Sequence, residues 1–346
     1  MDEKDNKELG TARNNSIDIF RIICAVFVVA IHTNPFFEIN RYLGYFISQV
    51  LSRVSVPFFF SISGYYYICK MEKISDRGKA FSVFFPFFAK TFKVYIFWSA
   101  VYIVCDFGKY YHKGVTLKNI IASIIVNFCI NGTYYHLWYF IGLFFSILIF
   151  TLCYRIRVEK ILAYGSIILY AVGLLGCSYY SVGNAIPGIS WIINSAHFTW
   201  IRRVMLMGLP FFVMGYFVKR MLYRQREHAA VSIFIFAGLF VCENVFINMF
   251  KLSKNNVITI FLYILLMYIV IWLLKHPMPE KDKCGSVCRY LANFIYYVHP
   301  LVILVLQNMG FENPSIIFVL TVFSSMLIGF FIMKSQCAWL NQFMLN

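Results

Sequence analysis

Apolar runs of about twenty residues, separated by short charged segments, constrain this chain more than any other feature. A helix rising 1.5 Å per residue needs roughly twenty residues to cross a hydrocarbon core of about 30 Å. Ten stretches qualify: 17–38, 43–69, 80–106, 134–153, 160–180, 198–221, 230–250, 256–274, 286–307 and 314–333. The expected fold is an all-α integral membrane protein of about ten transmembrane helices. Segment 116–129 is shorter and flanked by Lys118 and Asn131, which predicts a re-entrant or interfacial helix. Loop 181–197 carries Gly183, Pro187, Gly188 and Trp191 and no ionisable side chain except His197, so it reads as a cap on the outer side.

Composition agrees with the pattern. Only 13% of the residues are charged, about half the share usual in soluble domains, which leaves too little polar surface to cover a water-exposed globule. The net charge of +16 suggests nucleic acid at first sight. No basic stripe lies on a soluble module, so that partner is excluded. Topology explains the charge better. With the N-terminus in the cytoplasm, nineteen of the 31 Lys and Arg fall on the cytoplasmic side, six fall opposite and six lie within spans. That asymmetry places both termini inside. Residues 1–16 read as a cytoplasmic tail without signal-peptide character, 17–334 as the membrane domain and 335–346 as a second cytoplasmic tail. The ten cysteines form no CxxC pair. Cys284 and Cys288 with His276 resemble a metal set only faintly, so no metal is expected.

Ionic side chains inside a bilayer cost several kcal/mol each and ask for a partner or a water-lined cavity. Arg21 and His32 stand eleven residues apart in the first span. At 100° per residue they share one helix face, separated by about 16 Å along the axis. Arg53 precedes Pro57 and Phe58-Phe59-Phe60-Ser61-Ile62-Ser63-Gly64-Tyr65 in span two. There Pro57 frees a backbone carbonyl, and the small residues permit close helix approach. Lys90 and Lys93 lie in the inner half of span three and, with Arg21, are expected to line a basic pocket suited to phosphates. His136 and Trp138 open span four, Arg202 opens span six, and His299 precedes Pro300 in span nine. Glu243 is the one acid deep in a span, and its expected partner is an outer arginine or His32. His32, His136, Arg202 and Glu243 fall in the outer half, and Arg21, Lys90 and Lys93 in the inner half. That layout implies a path through the membrane or a long ligand with its head inside.

At these residues the chain resembles the acyltransferase-3 family of ten-span membrane O-acyltransferases. The resemblance rests on Arg21 with His32, on Arg53-Val-Ser-Val-Pro57-Phe-Phe-Phe-Ser-Ile-Ser-Gly64-Tyr65, and on His136-Leu-Trp138-Tyr-Phe. It continues in Gly208-Leu-Pro210-Phe-Phe-Val-Met-Gly215 and Tyr297-Val-His299-Pro300. Within the family it looks most like the membrane domain of the serine racemases of vancomycin-resistant bacteria. The resemblance implies a multi-pass protein of the bacterial cell membrane, followed by a cytoplasmic racemase domain carrying pyridoxal phosphate, with no cofactor in these residues.

Three functions follow as expectations. In the first, the domain delivers L-serine to the racemase for D-serine peptidoglycan precursors, with Arg202 and Glu243 meeting the two ends of the zwitterion. In the second, it transfers an acyl group from acyl-CoA. Arg21, Lys90 and Lys93 then hold the phosphates, His32 is the general base, its ordinary pKa near 6.5 suiting the task, and Glu243 orients the ring. Arg53, His136, Trp138 and His299 complete the candidate ligand-binding set. In the third, the domain only anchors the racemase. The expected partners are the lipid bilayer, a small-molecule ligand, the racemase domain in cis and a second copy of the chain.

Overall fold

The computed structural model describes residues 14–112, 116–224, 229–278 and 284–335, with backbone alone at 106–112 and 223–224. The tails expected at 1–16 and 335–346 fall almost wholly outside these residues. The main helices are α1 (Asn15–Thr33), α2 (Ser55–Met71), α3 (Phe81–His112), α4 (Leu117–Val126), α5 (Trp138–Arg155) and α6 (Glu159–Gly176). They continue with α7 (Leu209–Arg224), α8 (Ala229–Met249), α9 (Ile260–Lys275), α10 (Cys284–Asn308) and α11 (Pro314–Lys334). No strand occurs among the described residues.

Local chemistry sets where these helices stop. Asn14 caps α1, its side-chain oxygen accepting from the N–H groups of Ser16 and Ile17. The helix ends at Thr33, earlier than the expected residue 38, because Asn34 adopts the left-handed conformation at φ 49° and Pro35 cannot continue the turn. Nine helical stretches among the described residues are long and apolar enough to cross a membrane. The expected span 256–274 is the exception. Its helix α9 holds 16 residues, about 24 Å at the standard rise, and is shorter than the other spans. Segment 116–129 forms α4 and a π-helical turn, too short to span, as expected. Loop 181–197 folds into two short helices, Tyr180–Asn184 and Pro187–Ile193.

Two spans are irregular in the same way. The second begins as Arg41–Tyr45, widens to a π-helical turn at Phe46–Val50 and tightens to a 3-10 turn at Leu51–Val54 before α2. The sixth begins as Phe198–Ile201 and widens over Arg202–Gly208 before α7. Each irregular segment sits just ahead of a proline, Pro57 or Pro210. The missing proline N–H removes the donor that a regular helix would aim at the carbonyl four residues earlier, at Arg53 and at Leu206. Serine hydroxyls take up neighbouring carbonyls in the first case, Ser52 bonding Ile47 and Ser55 bonding Ser52.

Helices α2 and α7 form the centre of the bundle. A Cβ built on Gly64 would stand 1.8 Å from the Phe212 carbonyl oxygen, and one on Gly215 would stand 2.3 Å from the Tyr65 nitrogen. The small residues read from span two thus allow backbone-to-backbone contact. Around this contact, Phe58, Phe60, Tyr65, Tyr67, Phe211 and Phe212 are fully buried. Outward-facing positions such as Phe234, Phe323 and Ile168 remain bare, as a lipid-facing surface requires.

Candidate functional site

Among the described residues a cavity opens inside the bundle at each end of α1. At its N-terminal end a cavity of about 710 Å³ is bordered by Asp18, Arg21, Lys70, Lys90 and Arg289. At its C-terminal end a chamber of about 490 Å³ is bordered by His32, Arg53, Trp138, Arg202, Arg203 and Gln307. Arg21 and His32 share a helix face, yet each opens into a different cavity. Val56, Pro57 and Trp138 border the His32 chamber, whereas Phe59, Ile62 and Tyr139 border the Arg21 cavity. The boundary therefore falls at an aromatic layer of Phe59, Tyr139 and Tyr296, with centroids 5.8–6.4 Å apart. Tyr139 is tied to this layer, its hydroxyl lying 3.1 Å from Ser63 Oγ and 3.3 Å from the Phe59 carbonyl.

In the Arg21 cavity, Arg21 pairs with Asp18 at 3.2 Å, one turn earlier on α1. Lys90 borders this cavity as expected. Lys93 does not: it is exposed and borders neither cavity. The lining contributed by α3 runs from Ser82 to Thr91, and Lys93 lies beyond its end, further along the helix. Lys70 and Arg289 are the cations that sequence reasoning missed. Both sit at span ends, where they count toward topology and give no further signal.

The chamber has an imidazole wall. His32 is open to the chamber and packs against Tyr135, at 4.5 Å between centroids, and against His299, at 5.3 Å and near-parallel. His136 stands 5.3 Å from His299 on the far side. Both His136 and His299 are buried and border no chamber themselves. Pro300 explains the pose of His299. In a regular helix the residue-300 N–H would bond the Tyr296 carbonyl, and proline has none. The His299 ring takes that carbonyl, with Nδ1 2.9 Å away, and approaches the Ile295 carbonyl at 3.1 Å. Two carbonyl neighbours assign the proton to Nδ1 and leave Nε2 a bare lone pair. That nitrogen has no hydrogen-bond partner, and neither has either nitrogen of His136. The His-Pro dipeptide was the signal for this in the sequence. Among the described residues, no group of three His, Cys, Asp or Glu is arranged to hold a metal ion.

Glu243 is the principal correction. It borders neither cavity and pairs with none of the described arginines. Its carboxylate accepts the N–H of Ile260 at 2.7 Å and of Phe261 at 2.9 Å, the first two residues of α9, and the Tyr179 hydroxyl at 2.7 Å. An acid at the start of a helix satisfies orphan N–H groups and meets the positive end of the helix dipole. The expected contacts of Glu243 with Arg202 and with the His32 ring are therefore absent, and its carboxylate is engaged by the start of α9 instead.

The comparisons with known proteins accord with this architecture. A family model described as an acyltransferase domain, of the acyltransferase-3 type, matches residues 14–334. An amino-acid racemase of Enterococcus faecalis is 28% identical over 311 residues, covering 87% of this chain and 43% of the relative. A serine/alanine racemase of Enterococcus gallinarum is 27% identical over 298 residues, covering 84% of this chain and 41% of the relative. The chain thus spans less than half the length of these curated relatives. No solved structure matches it significantly. The match along nearly the whole helical bundle places the chain, a multi-pass α-helical membrane protein, in the acyltransferase-3 family.

Proposed function

We propose that the domain transfers an acyl group from a thioester donor held at the Arg21 cavity to an acceptor hydroxyl held in the His32 chamber. One observation carries this reading: a single helix, α1, presents a cation to one cavity and an open imidazole to the other, with only an aromatic layer between them. Arg21, Lys70, Lys90 and Arg289 suit the phosphates of an acyl-CoA. The thioester arm then reaches past Phe59, Tyr139 and Tyr296. The His32 lone pair removes the acceptor's hydroxyl proton as its oxygen bonds the thioester carbonyl carbon. The carbon–sulfur bond breaks, and the departing thiolate takes up the proton. By the charge asymmetry of the loops, the Arg21 cavity faces the cytoplasm of a bacterial cell, with both termini on that side.

The racemase relatives favour a second reading. There the chain is the membrane portion of a longer polypeptide and passes L-serine to a cytoplasmic racemase domain carrying pyridoxal phosphate, for D-serine-containing peptidoglycan precursors. Without Glu243 in the chamber, the ammonium of serine would rest against the ring faces of Tyr135 and Trp138. One preparation tests both. The purified chain in proteoliposomes should cleave or transfer from acyl-CoA, with His32→Ala slower by about a hundredfold or more. Equal rates in wild type and His32→Ala overturn acyl transfer. Failure of the same vesicles to take up L-serine overturns delivery.

A further inference from the structure

We infer that the His32 chamber is an oxyanion site, in which Arg53 and Arg202 together hold a carboxylate or phosphate group of the ligand. The inference rests on the reading that this chamber receives the acceptor, and it adds the chemical class of that acceptor. Arg53, Arg202 and Arg203 all border one cavity, and among the described residues no Asp or Glu borders it. Arg53 shares this lining with the second cation Arg202 and with the His32 imidazole, and no described carboxylate borders it.

What does hold these guanidinium groups is neutral. Arg53 donates through Nη2 to the Gln49 side-chain oxygen, and Gln49 Nε2 donates to Asn34 Oδ1 at 3.2 Å, at the end of the helix that carries His32. Arg202 lies beside the Cys177 thiol, and Arg203 lies 5.4 Å over the Trp138 ring. The Nε groups of Arg53 and Arg202 are buried and lack any hydrogen-bond partner. Unpaired guanidinium donors in a low-dielectric interior are costly unless an anion completes them. Both arginines also sit on the two irregular stretches: Arg53 on the 3-10 turn ahead of Pro57, and Arg202 at the start of the π-helical turn ahead of Pro210. Such distortions re-aim side chains and recur at functional sites. An oxyanion held here lies beside the imidazole of His32, which suits an acceptor that carries a hydroxyl close to an acidic group.

The test uses the whole chain in detergent, without any acyl donor, and reads thermal stability. Sodium acetate, inorganic phosphate and L-serine are each titrated against sodium chloride at equal ionic strength, with serinol as the analogue of serine lacking a carboxylate. A saturable rise in melting temperature with acetate or phosphate, none with chloride or serinol, supports the site, and whichever oxyanion acts identifies its source chemistry. Arg53→Gln and Arg202→Gln should each raise the half-saturating concentration about tenfold or more, with Arg→Lys variants in between. If the variants fail to fold, competition between acetate and phosphate on the wild type gives the answer alone: competitive shifts support one shared site. The proposal is overturned by no oxyanion-specific shift in folded wild type, by equal shifts with serinol, or by an unchanged response in the Arg53→Gln/Arg202→Gln double variant. Anion binding with transfer that ignores His32 sinks only the acyl-transfer reading. Transfer that depends on His32 with no anion binding sinks only this inference.

Discussion

Glu243 directs its carboxylate oxygens at two backbone N–H groups and one phenol, so its negative charge is met by hydrogen bonds without a cation. Tyr179, which lies in the loop after α6, donates the third bond. Burial, and then the carboxylate itself, push its hydroxyl well above the usual phenol range, and it remains a donor throughout the physiological range. The consequence separates a structural from a catalytic acid. Glu243→Gln replaces one accepting oxygen by an N–H group that faces backbone donors. Stability should fall by about 1–3 kcal/mol, seen as a lower melting temperature, while turnover per folded molecule stays near wild type. A fully stable Glu243→Gln variant with abolished turnover would contradict this assignment. His299 shows the same dependence on neighbours, since its ring orientation follows from the absent N–H of Pro300.

Among the helices, α2 and α7 bring their backbones into direct contact. Gly64 and Gly215 interlock there because neither has a side chain. Gly64→Ala places a methyl group into the Phe212 carbonyl, and the helices must move apart. A loss of about 1–3 kcal/mol or more is expected from overpacking alone, measured as reduced yield of folded protein in detergent. Both helices lead into the π-helical and 3-10 turns that aim Arg53 and Arg202, so the same variant should also weaken anion binding in the His32 chamber. Normal stability and binding in Gly64→Ala would show that the two backbones can separate freely.

The bundle as a unit has a direction that loop charges define and helix packing does not. Cys129, on the π-helical turn after α4, and Cys284, at the start of α10, are both exposed. They fall on opposite sides in the charge-based topology. A membrane-impermeant maleimide applied to intact cells should modify Cys129 and reach Cys284 only after permeabilisation, as read by mass spectrometry of the labelled peptides. The reverse pattern would invert the protein and move the Arg21 cavity to the outside.

Hydrophobic run length, the Arg21–His32 spacing and the loop charges are local or strictly periodic properties, and the helical class, nearly all the spans and the shared face of α1 were legible from them. So was the placing of His32 and Arg202 at one end, where His136 and Glu243 were also expected, because residues at the same depth of a bilayer meet if they face inward. Facing, though, is decided by packing between distant helices. Only the tertiary structure showed that Arg21 and His32 open into separate cavities, that Lys93 borders neither, that Lys70 and Arg289 join Lys90, and that Glu243 caps α9. A buried carboxylate is stabilised equally well by a cation or by free backbone N–H groups, and a sequence does not reveal which helix end will arrive beside it.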